Sequence, residues 1–160
     1  MAAQAKNNLT RLFKNKNFFR LWLGQLISAA GDRFTQMSLL TLMMVLSLDA
    51  GTKMAWITFY SLLPFLLFGQ VFGALADRMP RKSVMVFADF TRAGLVALIP
   101  VLYNFSHSLG LIYGLVFLLG TLSSLFSPAK MATIPNLVDK EMLVSANSLV
   151  AGAAMVATLI

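Results

Sequence analysis

The chain has 160 residues, of which 58% are hydrophobic and 12% charged, where a soluble domain carries about 45–50% and about 25%. Uninterrupted apolar runs of about 18 or more residues exclude one ordinary soluble domain and point to a bilayer. The net charge of +7 would suggest a nucleic-acid partner in a soluble protein, but the placement of the cations explains it otherwise, and a chain without Cys has neither disulfides nor thiolate metal sites.

Residues 1–17 read as a polar, basic, solvated leader, with Lys6, Arg11, Lys14 and Lys16 followed by Arg20 and no acid before Asp32. Residues 18–160 read as part of a helical bundle. The first helix covers 18–48, long enough to cross a hydrocarbon core of about 30 Å and too long for the roughly 7–15-residue core of a cleaved signal peptide. Asp49 to Lys53 is a short turn. The second helix covers 54–76, with Pro64 near its middle as a kink. Gly69-x-x-x-Gly73 toward its end is a place where another helix backbone can approach. A compact charged segment, 77–82, leads into a third helix over 83–103, and Asn104 to Ser108 is another turn. The fourth helix covers 109–126, carries a second small-residue pair at Gly110 and Gly114, and is stopped by Pro128. Residues 127–141 are a surface segment in which Asp139 is placed to cap a fifth helix over 142–160. That run reaches Ile160 with no flanking charge, Trp or Tyr, so the chain reads as the front part of something longer, cut inside a span. The expected class is all-α integral membrane, with four complete spans and a fifth cut at the C-terminus.

Lys and Arg lie in alternate segments. Arg78, Arg81 and Lys82 join the leader on one side, with Lys130 and Lys140, while the other side has only Lys53. By the positive-inside rule the N-terminus, the 77–82 turn and the 127–141 segment are cytoplasmic, and the net charge needs no nucleic acid.

Two pairs of charges fall inside spans: Asp32 with Arg33 in the first helix, and Asp89 with Arg92 in the third. At about 1.5 Å per residue Asp32 lies roughly 18 Å beyond Arg20 and Arg92 roughly 15 Å beyond Lys82, so the two pairs sit at similar depth. Each costs about 2.5–3.5 kcal/mol at a helix centre, so these side chains face protein or water rather than lipid. On the first helix Gln25, Ser28, Ala29, Asp32 and Gln36 share a face, which makes Gln25 and Gln36 candidate cavity-lining residues. One reading is a neutral structural cluster, for instance Asp32 with Arg92 and Asp89 with Arg33, locking helices one and three. The other is a proton or substrate site, because intramembrane acids are the usual relay groups of pumps and transporters. Asp89 and Arg92, three residues apart, can also satisfy each other locally.

The stretch Gly73-x-Leu75-x-Asp77-Arg78-x-x-Arg81-Lys82, set between helices two and three on the cytoplasmic side, resembles the signature of the major facilitator superfamily. Asn17 to Trp22, Gly24-Gln25, Gly31-Asp32, Phe126 to Ala129 and Ala146 to Leu149 look like its enterobactin-exporter and macrolide-efflux branch. The resemblance implies a bacterial inner-membrane protein of twelve helices in two halves, built from three-helix inverted repeats. It also implies alternating access, with proton-driven export of a siderophore-like or drug-like small molecule. The bilayer, the substrate, protons and the absent C-terminal half are its implied partners, and no cofactor is implied. In this family the acid of the motif, here Asp77, holds the cytoplasmic side closed against the second half. Pro80 stands where the family usually has Gly, which fixes φ near −65° and biases Met79 away from helix.

An enzyme is not expected. His107 is the sole His and has no acid near it in sequence, Asp139-Lys140-Glu141 has no His or Cys to complete a metal site, and no phosphate-binding Gly-x-x-x-x-Gly-Lys loop is present. The alternative class is a non-transporting membrane scaffold, assembly partner or truncated remnant. These residues alone are not expected to enclose the family's cavity or to transport.

Overall fold

The computed structural model describes residues 11–46, 49–106, 108–157 and 159. Five α-helices are bounded by described residues: α1 (Lys16–Leu46), α2 (Ala50–Arg78), α3 (Arg81–Ser106), α4 (Leu109–Thr133) and α5 (Leu143–Val156). Two single 3-10 turns, Ile134–Asn136 and Lys140–Met142, join the last two. There is no strand among the described residues.

The start of α1 is set by Asn15. Its Oδ1 accepts the N–H groups of Asn17 (3.1 Å) and Phe18 (3.3 Å), two of the donors that a helix leaves unsatisfied at its N-terminus. Residues 11–14 form a separate helical turn before it. With about 100° per residue, α1 sorts its side chains by face. Phe18, Gln25, Leu39 and Met43 are buried on one side, with Asp32 half-buried on the same stripe. Phe19, Leu23, Ile27, Phe34, Met37 and Met44 are exposed on the other. The helix α3 does the same, burying Val84, Ala88 and Ile99 along one stripe.

Among the described residues three helical stretches are long and apolar enough to cross a membrane: Ala50–Ala76, Arg81–Phe105 and Leu109–Asn136. At 31 residues α1 is long enough, about 46 Å at 1.5 Å per residue, but Gln25, Ser28, Asp32, Arg33, Thr35 and Gln36 dilute its middle. At 14 residues α5 extends about 21 Å, short of a hydrocarbon core of about 30 Å.

The turns are shorter than the sequence suggests. Pro128 does not stop the fourth helix, which continues through it to Thr133. One lost hydrogen bond is outweighed because Phe126 and Ala129, on either side of the proline, are both buried, and spans tolerate internal proline where neighbours re-satisfy the backbone. Pro100 likewise lies inside α3 and Pro64 inside α2. The turn expected over Asp49 to Lys53 is already helix from Ala50. That over Asn104 to Ser108 is helix to Ser106, and His107 lies outside the described residues. Asp139 does precede a helical turn, but makes no side-chain cap and is followed by a 3-10 turn rather than directly by α5. Leu12, in the expected solvated leader, is only 1% exposed.

The chain divides into two compact units, Ser38–Met131 on the one hand and the residues up to Met37 with those from Ala132 on the other. The second of these has a core of Leu12, Phe18, Ile134, Met142, Ala146 and Val150. The Ser38–Met131 unit has a larger core, of Leu39, Met43, Ile57, Ile99, Ile112, Leu115 and Val116, and a smaller one of Ala76, Val84 and Ala129.

The close approach of helices falls at neither small-residue pair named from the sequence. No described atom lies within 4 Å of a Cβ built at Gly69, Gly73 or Gly114. It falls at Gly120 of α4, where a Cβ would overlap the carbonyl oxygen of Ser61 and stand 3.1 Å from Pro64 Cγ on α2.

Candidate functional site

The charged turn is a junction two residues long. Helix α2 runs to Arg78, Met79 is extended (φ −102°, ψ 155°), and α3 starts at Arg81. Proline disfavours helix in the residue before it, which accounts for Met79. Pro80 then opens the next helix, its carbonyl accepting the Val84 N–H at 3.1 Å. Gly73, Leu75 and Asp77 therefore sit on the last turns of α2, and Arg81 and Lys82 on the first turn of α3. Arg78 and Lys82 are exposed, Leu75 is partly so, and Arg81 is half-buried. Arg78 complements the negative end of the α2 dipole, whereas Arg81 and Lys82 oppose the positive end of α3, which has no acid in its first turn. The side chain of Asp77 lies outside the described residues, and with it the expectation that it rests on these arginines or on a helix N-terminus. Beside the charges, Ala76, Val84 and Ala129 pack together, joining the ends of α2 and α4 to the start of α3.

Further along α3 an ion pair lies on the inward stripe. Val84, Ala88, Arg92 and Ile99 succeed one another at helical spacing, so Arg92 takes a position that its neighbours fill with buried apolar groups. Arg92 Nη1 stands 3.6 Å from Asp89 Oδ1, and the arginine side chain is 13% exposed against 39% for the aspartate. The cation is thus deep, while the carboxylate sits at the edge of the stripe where another group can reach it. The pair is of the local, three-residue kind anticipated from spacing.

A third member was not anticipated. Lys130 of α4 lies within electrostatic range of both Asp89 and Arg92, with Nζ 5.8 Å from the centre of the Phe126 ring one turn earlier. Helical side chains lean toward the helix N-terminus, so this lysine points back along α4. In the sequence this lysine bears only on topology, and its four-residue spacing from Phe126 is the signal of the ring contact.

On α1, Gln25 is buried and Asp32 half-buried, as a protein-facing polar stripe requires. Arg33 Nη1 donates to Gln36 Oε1 at 3.0 Å, so these two meet on an exposed part of the helix surface, and Gln36 stands apart from the buried face. An open apolar groove of about 300 Å³ lies between α1 and α5, lined by Trp22, Leu26, Leu149 and Val156 among others. Among the described residues that line it there is no titratable side chain.

The family described as transmembrane secretion effector matches residues 10–157. The chain is similar to two uncharacterized MFS-type transporters of Bacillus subtilis. It is 29% identical to YkuC over 132 residues, and 32% identical to YfiS over 130, in each case covering 81% of this chain and 30% of the relative. It is 28% identical over 130 residues to macrolide efflux protein A of Streptococcus pyogenes, covering 79% of this chain and 31% of that protein. The chain therefore spans about a third of the length of the curated relatives it matches. No solved structure matches it.

Proposed function

Because the chain belongs to the transmembrane secretion effector family of the major facilitator superfamily, we propose that it forms the N-terminal helices of a proton-coupled secondary exporter that works by alternating access. The observation that carries this reading is the Asp89–Arg92 pair, held on the inward stripe of a helix long and apolar enough to span. Ionisable groups at that depth mark ion or substrate pathways. Lys130, approaching the same carboxylate from α4, supplies a second cation whose attraction changes if α3 and α4 shift against each other. Asp32, on the buried face of α1, is the other candidate proton carrier.

In this reading α1 is a fourth span despite its polar middle, and Gln25 and Asp32 face the cavity. The N-terminus is cytoplasmic in a bacterial inner membrane, with Arg78, Arg81, Lys82, Lys130 and Lys140 on the cytoplasmic side and Lys53 on the other. The Met79–Pro80 junction is then a cytoplasmic gate element, and Asp77 is the group that meets the second half of the protein. The efflux relative supports export, and an amphipathic drug-like or siderophore-like molecule as cargo.

The test uses the complete protein that contains this chain, expressed in a bacterial strain deleted for its own efflux pumps and loaded with a radiolabelled macrolide or ferric-siderophore analogue. Expression lowers steady-state accumulation several-fold, and a protonophore restores it. Asp89→Asn abolishes the protonophore-sensitive part while leaving the protein in the membrane at its normal level. Export that persists undiminished with the proton gradient collapsed would remove proton coupling. Full gradient-driven export by Asp89→Asn would reduce the α3 pair to a structural role.

A further inference from the structure

The residues that lead into α1 combine three features: a rigid aromatic cluster, a set of cations, and the beginning of an exposed apolar stripe. Phe13, Phe19 and Trp22 pack against one another. Phe13 meets Trp22 edge-on with ring centres 5.3 Å apart and Phe19 at 6.2 Å, and Phe19 stacks on Trp22 at 6.3 Å. Their backbone is fixed from behind. Leu12 and Phe18 are buried in the core, Asn15 caps α1 and donates through Nδ2 to the carbonyl of Leu137 at 2.8 Å, and the Trp22 indole N–H donates to the carbonyl of Leu149 at 3.1 Å. Phe13 and Phe19 are nevertheless each 40% exposed. An aromatic cluster held this firmly and left open on one side presents a ready-made surface.

Interspersed with these rings in the sequence are Arg11, Lys14, Lys16 and Arg20, all exposed, and no acid occurs from residue 11 to Gly31. Beyond them the exposed face continues without a cation through Leu23 and Ile27. Along the chain the cations (Arg11, Lys14, Lys16, Arg20) and the rings (Phe13, Phe19, Trp22) thus alternate, and the exposed aliphatic side chains Leu23 and Ile27 follow them. Charged and aromatic side chains together suit the headgroup and glycerol-ester level of a bilayer, and the aliphatic ones the hydrocarbon beyond it.

We propose that Phe13, Phe19 and Trp22, with Arg11, Lys14, Lys16 and Arg20, form a binding surface for acidic phospholipid in the leaflet next to the start of α1. The inference rests on α1 entering the bilayer. Its occupant is chosen by charge: four cations and no acid select an anionic headgroup over a zwitterionic one, while the rings lie against the upper part of the acyl chains. A basic residue near an anionic surface contributes about 1 kcal/mol, which corresponds to about fivefold in lipid preference for each.

The purified chain, with Trp56→Phe so that Trp22 is the sole indole, is reconstituted into vesicles of phosphatidylcholine mixed equally with phosphatidylglycerol. One lipid or the other is brominated on its acyl chains near the headgroup. Quenching of Trp22 is stronger from brominated phosphatidylglycerol than from brominated phosphatidylcholine. The preference falls by about fivefold in Lys14→Gln and in Lys16→Gln, and stays unchanged in Lys53→Gln. Inorganic phosphate added to the buffer does not reverse it. Equal quenching by the two lipids overturns the acidic-lipid surface while leaving α1 in the bilayer. Quenching by neither overturns both the surface and the insertion of α1.

Discussion

The two larger cores of this chain are built by opposite means. The core of Leu12, Phe18, Ile134, Met142, Ala146 and Val150 joins segments more than a hundred residues apart in sequence, and side-chain hydrogen bonds to backbone carbonyls accompany it, from Asn15 to Leu137 and from Trp22 to Leu149. Around the core of Leu39, Met43, Ile57, Ile99, Ile112, Leu115 and Val116, the hydroxyls of Thr58, Ser61, Thr121, Ser123 and Ser124 instead bond carbonyls of their own helices. What holds α2 to α4 there is shape: Gly120 against Ser61 and Pro64, Tyr60 stacked on Tyr113 at 5.3 Å, and Phe117 edge-on to Phe68 at 6.4 Å. The difference follows from what each region leaves unsatisfied. Long helices close their own hydrogen bonds and have only surfaces to match, whereas the first 3-10 turn before α5 ends at Leu137 with a carbonyl that the Asn15 side chain meets.

The largest effect expected on this contrast comes from Phe18→Ala. Phe18 is 0% exposed, and emptying such a site costs about 3–5 kcal/mol. If the two cores are separately stabilised, hydrogen exchange in detergent accelerates across Leu143–Val156 and the first turns of α1 and changes little at Ile112 to Val116. Equal acceleration in both regions would show one cooperative core and end the distinction.

A smaller effect separates close packing from mere small-residue spacing. Gly120→Ala places a methyl group against the Ser61 carbonyl and forces α2 and α4 apart, a cost of about 1–3 kcal/mol. Gly114→Ala, six residues earlier in the same helix, meets no described atom within 4 Å and gains up to about 1 kcal/mol of helix propensity. Unfolding of the two variants by graded addition of a denaturing detergent should move in opposite directions from the parent. Equal behaviour would mean that the Gly120 contact yields without consequence.

These residues also show what could be read beforehand. Apolar runs and their breaks gave the four long helices and their order, because hydrophobic length is local information. Of the α1 face expected from spacing, Gln25 is buried and Asp32 half-buried, but Gln36, placed on the same face, is exposed and meets Arg33 instead. Pro80 predicted the extended Met79, since the clash that disfavours helix there is between chain neighbours. At helix ends tertiary packing overrides the local signal: Pro128 lacks a donor, but buried Phe126 and Ala129 keep α4 going. The Gly-x-x-x-Gly pairs indicated that helices can approach without saying which glycine meets which helix, and that choice depends on the partner's surface at Ser61 and Pro64. Lys130 was hidden for a similar reason, since its relation to Asp89 and Arg92 exists only once α3 and α4 are side by side.

The smallest effect tests the polar side of the contrast and separates two jobs in one residue. Asn15 caps α1 through Oδ1 and holds the Leu137 carbonyl through Nδ2. Asn15→Ala loses both, about 1 kcal/mol for the cap and about 0.5–1.5 kcal/mol for the second bond. Asn15→Asp keeps an oxygen for the Asn17 and Phe18 amides, and its charge suits the positive end of the helix dipole, but it cannot donate to Leu137. Exchange at the Phe18 amide should therefore be slow in the aspartate variant and fast in the alanine one, while both variants lose the hold on Leu137 and expose the Met142 amide more often. Were Asn15→Asp to match the parent at Met142, the Leu137 bond would contribute nothing measurable, and the core around Phe18 would be held by packing and by the Trp22 bond to Leu149.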